Sequence, residues 1–265
     1  MKLHYDSEGD GPLVVLLHGF PESRLSWKRQ LPALAQAGFR AVAPDLRGYG
    51  DSPKPKGIDH YRIPLVAEDV IELIESLSGG QKCVLVGHDW GAVVAWNIAM
   101  TRPDLLRKLA IINIPHPSAI LREVRRSFRQ KINLTYQIFF QLPVLPELTM
   151  RLFGRAFLKR AARFTAEEIE TYVQQWRGNL TPMLNYYRAM RRSRGKEVKA
   201  QFHRVETPTL IIWGEREPVF LSSAIEDLDR WVADVRIERL PRIGHFAQHD
   251  AAERVNELLV EWAGS

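Results

Sequence analysis

The sequence predicts an α/β protein: a mostly parallel, twisted sheet with helices on both faces, and an all-helical segment inserted into it. Three observations predict this. Short apolar runs alternate with helical segments through about the first 115 residues, and strands alternating with helices argue for a parallel sheet covered on both sides. From Pro115-His116-Pro117 to about Gln201 only helical signals appear. Strand signals then resume and a final amphipathic helix closes the chain.

In order, Leu3–Ser7 reads as an edge strand and Leu13–Leu17 as an apolar strand ending at His18-Gly19. A helix is expected over Ser26–Ala37, with Gly38 as its C-terminal cap. Arg40–Ala43 is the next strand, stopped by Pro44. In Leu65–Leu77, the residues Val66, Val70, Leu73, Ile74 and Leu77 fall on one helical face. Cys83–Val86 is a buried strand, Ala92–Met100 a buried helix and Leu109–Ile114 a strand. In the inserted segment, Thr165-Ala166-Glu167-Glu168 fits a capping box. Ile169, Tyr172, Val173 and Trp176 form the stripe that follows it. Thr181-Pro182 reads as a second helix start. Strands are expected at Thr209–Trp213 and Val235–Leu240, and a helix at Ala251–Trp262. The expected division is a core of residues 1–115 and 203–265 and a helical cap of residues 116–202.

The 265 residues, 45% hydrophobic and 26% charged, suit one globular domain with an insertion. No apolar stretch reaches the roughly 20 residues that span a bilayer. The N-terminus lacks the basic-then-apolar pattern of a signal peptide. The single Cys83 cannot form an internal disulfide and suits a buried, unreactive position, so a reducing cytoplasm is the expected location. The net charge of +6 comes mostly from the middle third: Arg122, Arg125, Arg126, Arg129, Arg151, Arg155, Lys159, Arg160, Arg163, Arg191, Arg192, Arg194 and Lys196. Nucleic acid or an anionic membrane is one reading of such charge. A solvated helix face is the reading preferred here, because no zinc spacing, phosphate loop or stacking motif accompanies it. The oligomeric state is not legible.

The chemistry concentrates at Gly87-His88-Asp89-Trp90-Gly91, between a buried strand and a buried helix. Small residues on both sides let the chain turn sharply and present the middle side chain at the sheet's edge, the geometry of a nucleophile elbow. An ordinary strand-to-helix turn would use the same glycines. With Asp89 in the middle, the nucleophile is a carboxylate. It is already ionised and can displace a leaving group from saturated carbon, forming an alkyl ester on the protein.

Such an ester needs a base to activate water, an acid to orient the base, and an oxyanion hole. His245 lies after the last strand and before the last helix, where the chain order nucleophile, acid, base puts the base. His249 is its nearest competitor, and its place at the start of the final helix suggests an exposed residue. Glu217 and Glu215, after the strand Thr209–Trp213, are both candidates for the acid; a weak surface cluster around Arg216 is the alternative. The N–H groups of Trp90 and Phe20 are the expected oxyanion donors. His18 is expected to brace its loop.

These motifs resemble the epoxide hydrolase and dehalogenase branch of the α/β-hydrolase fold. The matching segments are His18-Gly19-Phe20-Pro21-Glu22-Ser23, Asp45-Leu46-Arg47-Gly48-Tyr49-Gly50-Asp51-Ser52, Gly87-His88-Asp89-Trp90-Gly91 and Gly244-His245. The resemblance implies that two cap tyrosines hold and protonate the epoxide oxygen. It assigns them to Tyr136 and Tyr187, with Tyr186 as the fallback for the second. A phenol with pKa of about 10 can donate to an alkoxide leaving group, whereas a halide needs only weak N–H donors. Two departures stand out: the acid is Glu217 where the family commonly has Asp, and the N-terminus is short enough to lack the first of the usual eight strands. The expected activity is epoxide hydrolysis to a vicinal diol with no metal or organic cofactor. A haloalkane or haloacid dehalogenase, or a non-catalytic ligand-binding homologue, are the other readings. Phe20 lacks the side-chain group haloalkane dehalogenases often place there, and Tyr136 and Trp90 differ from the residues usual in fluoroacetate dehalogenases.

Overall fold

The computed structural model describes residues 1–193 and 202–265. Arg194 and Lys196 of the basic middle third, and residues 194–201 of the expected cap, lie outside the described residues. Among the described residues, seven strands form one sheet in the order β1-β3-β2-β4-β5-β6-β7. They are β1 (Tyr5–Glu8), β2 (Leu13–Leu17), β3 (Arg40–Pro44), β4 (Cys83–His88), β5 (Leu106–Ile112), β6 (Thr209–Gly214) and β7 (Val235–Leu240). Only β1 runs antiparallel to its neighbour; the other pairings are parallel. Among the described residues no helix is long and apolar enough to cross a membrane.

The sheet separates two cores, and strand alternation assigns residues to them. Leu13, Val15 and Leu17 of β2, with Cys83 and Leu85 of β4, face one core; Val14, Leu16, Val84 and Val86 face the other. Against the first pack α2 (Ile63–Leu77) and α3 (Trp90–Thr101). Against the second pack α1 (Gln30–Gln36) and the last helix, α11 (Ala252–Gly264). A short helix α10 (Ala247–Asp250) precedes α11. Among the described residues between β5 and β6 lie α4 (Pro117–Arg126), α5 (Phe128–Asn133), α6 (Tyr136–Phe139), α7 (Leu145–Ala161), α8 (Ala166–Gln175) and α9 (Leu180–Arg192).

Several boundaries differ from the expectation. The segment Ser26–Ala37 is a 3-10 turn at Arg24–Trp27 followed by α1. Ser23 caps the turn by accepting from the Leu25 N–H, and Pro32, which has no N–H to give, suits only a helix's first turn. The strand expected at Leu109–Ile114 starts three residues earlier, where Leu106 pairs with Cys83, and stops at Ile112 because Asn113 turns to φ 58. The helix start read at Thr181-Pro182 lies at Asn179-Leu180. The Thr181 hydroxyl does not cap: it donates to Glu147 Oε1 at 2.9 Å, a tertiary partner no local pattern contains. At Thr165 the capping box is present with both hydrogen bonds.

Candidate active site

Asp89 ends β4's turn and begins α3 with φ 48 and ψ −120, a left-handed conformation that strains a residue with a Cβ. The neighbouring glycines make the turn possible. A Cβ on Gly87 would lie 2.7 Å from Ala92 Cα, and one on Gly91 would run into the Leu17 carbonyl. A Cβ on Gly19 would collide with the Asp89 side chain itself, so this loop and the carboxylate are in direct contact.

The Phe20 N–H donates to Asp89 Oδ1 at 2.7 Å. Trp90 is the first residue of α3, so its N–H is one of the donors that a helix leaves unpaired at its N-terminus. The loop that carries Phe20 is held from below: the Leu46 N–H donates to His18 Nε2 at 3.0 Å, and His18 Nδ1 lies 3.1 Å from the Gly19 carbonyl. His18 thus sits where a brace is needed.

The loop after β7 brings His245 to the other oxygen of Asp89, with Nε2 3.6 Å from Oδ2. His245 Nδ1 lies 2.6 Å from Glu217 Oε2, and the Val219 N–H donates to Glu217 Oε1 at 2.8 Å. The extra methylene of Glu relative to Asp is accommodated within an ordinary hydrogen-bond length. Glu215 turns outward and pairs with Arg239 at 2.8 Å. Of the two acids left open by the sequence, Glu217 alone is brought to His245.

The charges act on one another across this line. Burial by itself lowers the affinity of His245 for its proton, but Glu217 and Asp89 outweigh it and raise the imidazole to about 10. Burial by itself raises Asp89, but the hydrogen bond and charge of His245, with help from His88 and the Phe20 N–H, hold the carboxyl below its ordinary value. Each of the two groups thus favours the charged form of the other.

From the helical segment, Tyr136 and Tyr187 come together with ring centroids 6.0 Å apart. Tyr187 also packs edge-on against Trp90 at 4.8 Å and Phe20 at 5.5 Å, the two residues whose N–H groups flank Asp89. Burial raises the phenol pKa of both tyrosines, and the Asp89 charge raises both further. Tyr186 points elsewhere. Its hydroxyl donates to the Arg47 carbonyl at 2.7 Å, and its ring packs on Tyr49 and Tyr61.

Two features were missed. Asn113 ties the two late loops together: its Nδ2 donates to the Gly244 and His245 carbonyls at 2.7 Å each, and its Oδ1 accepts from the Gly214 N–H at 2.6 Å. Its only sequence signal was a polar residue at the end of an apolar strand. The second is a buried polar cluster. Glu22 Oε1 lies 2.5 Å from His249 Nε2, and Glu22 Oε2 accepts from Gln248 Nε2 at 3.0 Å. Gln248 also reaches His88 Nδ1 at 3.1 Å, and His88 Nε2 lies 2.9 Å from the His245 carbonyl. His249 is therefore not the exposed helix-start residue expected: it is 5% exposed. The physical reason is the buried carboxylate of Glu22, which requires a partner.

A strained carboxylate at an elbow, a histidine and a second carboxylate in line, and backbone donors beside the first define a hydrolase of the α/β type. Residues 12–252 match the sequence family described as alpha/beta hydrolase fold, and the chain belongs to that family. It is 38% identical over 99% of its length to AB hydrolase superfamily protein YfhM of Bacillus subtilis (strain 168), covering 94% of that protein. It is 36% identical over 98% of its length to Epoxide hydrolase 3 of Xenopus tropicalis, covering 74% of it. Among solved structures it is similar to an epoxide hydrolase from Bacillus megaterium in complex with an inhibitor: TM-score 0.89, 30% identity, 99% of this chain and 97% of that one.

Proposed function

We propose that the protein is an epoxide hydrolase working through a covalent ester on Asp89, with residues 116–202 acting as a cap over a core of residues 1–115 and 203–265. The observation that carries the reading is the pair of phenols, Tyr136 and Tyr187, with rings 6.0 Å apart and Tyr187 packed on Phe20 and Trp90, the residues whose N–H groups flank Asp89. Opening an epoxide leaves a strongly basic alkoxide, and two positioned acids answer that need. The named epoxide hydrolases among its relatives support the same chemistry.

In the first step Asp89 Oδ2 attacks an epoxide carbon. The C–O bond breaks, and its electrons go to an oxygen that takes a proton from Tyr136 or Tyr187. Oδ1 stays on the Phe20 N–H, which points the other oxygen at the substrate. Esterification removes the Asp89 negative charge, and with it one of the two carboxylates that hold the proton on His245. The imidazolium can then pass its proton back to the tyrosinate left by the first step, and the neutral imidazole is a usable base. His245, held by Glu217, takes a proton from water; the hydroxide adds to the ester carbonyl; the Phe20 and Trp90 N–H groups stabilise the oxyanion. Collapse expels the diol, its alkoxide protonated by the imidazolium, and the Asp89 carboxyl left behind passes its proton to His245, which restores the starting pair. No step calls for a cofactor.

The test is turnover of aryl, alkyl and trans-disubstituted epoxides beside haloalkanes and fluoroacetate, followed by mass analysis of Asp89 after turnover in oxygen-18 water. Diol formation with label entering Asp89 supports the covalent route. Diol without label means direct water attack, and halide release faster than epoxide turnover transfers the protein to the dehalogenases.

A further inference from the structure

Helix α7 carries apolar side chains on its solvent side as well as on its buried one. Its inward stripe is Glu147, Met150, Gly154 and Leu158. Gly154 is required there because a Cβ would run into the Trp176 indole. The solvent side carries Leu145, Leu148, Leu152, Phe153 and Phe157, with Leu152 65% and Phe153 63% exposed. Ile138 of α6, and Leu142 and Val144 of the turn leading into the helix, are also exposed, the last 73%. Scattered exposed apolar residues need no explanation, but a run of this length on one helix and its leading turn marks a contact surface.

Basic charge lies beside that surface. Residues 116–193 hold fourteen Lys and Arg against five Glu, an excess larger than the net charge of the whole chain. Among the described residues, Arg151, Lys159 and Arg160 of α7 make no ion pair, while Arg155 meets Glu170 at 2.9 Å. A cleft of about 370 Å³ opens next to α7, lined by Arg151, Arg155 and Arg177 together with Trp176 and Leu180. Three guanidiniums around one opening suit a phosphate, which Arg binds in bidentate fashion.

We propose that the exposed face of α7 and its leading turn is a docking surface for an anionic lipid bilayer. Leu152, Phe153 and Val144 enter the boundary between headgroups and acyl chains, and the flanking arginines take the lipid phosphates. This is the composition of a helix that lies in the membrane plane without crossing it. Charge decides against a second copy of the chain as the occupant, because two like faces would set one basic excess against the other. The basic residues read from sequence as a solvated face thus acquire a partner. The inference does not depend on the reaction proposed above.

The experiment is co-sedimentation of the full chain with phosphatidylcholine vesicles, with and without phosphatidylserine. Partitioning is expected to be about tenfold or more stronger with the anionic lipid and to fall with added salt. Leu152→Ser/Phe153→Ser should abolish it. Arg151→Gln/Arg160→Gln, which leaves the apolar face intact, should reduce binding to the level seen with neutral vesicles. Both variants should keep the circular-dichroism melting curve of the parent chain. Absence of binding to either vesicle, or equal binding to both, overturns the proposal. So does a concentration-dependent dimer in ultracentrifugation that Leu152→Ser/Phe153→Ser dissolves, since the face then belongs to a second copy.

Discussion

Glu217 Oε2 stands 2.6 Å from His245 Nδ1, while Glu215, two residues away, is turned to Arg239 on the surface. The contact fixes the tautomer of His245 and supplies part of the field that holds its proton. Glu217→Gln is expected to slow ester hydrolysis by roughly 10²- to 10⁴-fold while slowing ester formation far less. Glu215→Gln should change neither. Single-turnover kinetics separate the two steps, and the reverse pattern would reassign the acid.

The Asp89–His245 pair sets a pH dependence. His245 is raised from 6.5 to about 10, so its contribution to stability is complete below pH 6.5 and is lost as pH rises through about 10. Asp89 is lowered from 3.8, so its contribution is present above that value and is lost as pH falls through its folded pKa. Asp89→Asn removes the charge much as esterification does. NMR titration of His245 in this variant should show its pKa clearly reduced, and the alkaline loss of stability should begin at lower pH. An unmoved His245 pKa would refute the proposal that ester formation switches on the base.

The tyrosines separate epoxide chemistry from halide displacement. Tyr136→Phe and Tyr187→Phe should each slow alkylation of Asp89, by up to about 10²- to 10³-fold, or about 2.7–4 kcal/mol, less where the other phenol compensates. The double variant should be nearly inactive, with breakdown of a preformed ester little changed. Tyr186→Phe should leave alkylation intact and lower stability by about 1–3 kcal/mol, because the buried Arg47 carbonyl loses its donor. Stopped-flow fluorescence and urea denaturation read the two effects.

The Glu22 carboxylate is buried among hydrogen-bonded partners. Burial by itself raises Glu22, but His249 and His88 hold the carboxyl well below its ordinary value. Removing one partner from such a set leaves the others uncompensated. Glu22→Ala is therefore expected to lower unfolding free energy by about 3–5 kcal/mol. A loss under about 1 kcal/mol in urea titration would mean that the cluster is filled by water at little cost.

Gly19 is tied to the nucleophile by space alone. Gly19→Ala puts a methyl group where the Asp89 carboxylate lies, so activity should fall more than stability does. Assay and thermal melting of the same preparation check this, and an active Gly19→Ala would show that the loop can move away.

The sequence by itself determined the sheet, the elbow and the identity of the two central catalytic candidates. The reason is local: the apolar runs Leu13–Leu17 and Cys83–Val86, the glycines around Asp89, and the position of His245 after the last strand are properties of neighbours in the chain. Only the tertiary structure sets Glu217 apart from Glu215, and Tyr187 from Tyr186. In each case neighbouring side chains of like chemistry differ in the direction they point, which distant partners set: His245 against Arg239, the Tyr136 and Phe20 rings against the Arg47 carbonyl. The same holds for His249, whose burial follows from a carboxylate 227 residues earlier, and for Asn113, which spans 131 residues to Gly244. A buried charge or an orphaned carbonyl must find its partner across the fold, and no periodicity along the chain encodes which partner it will be.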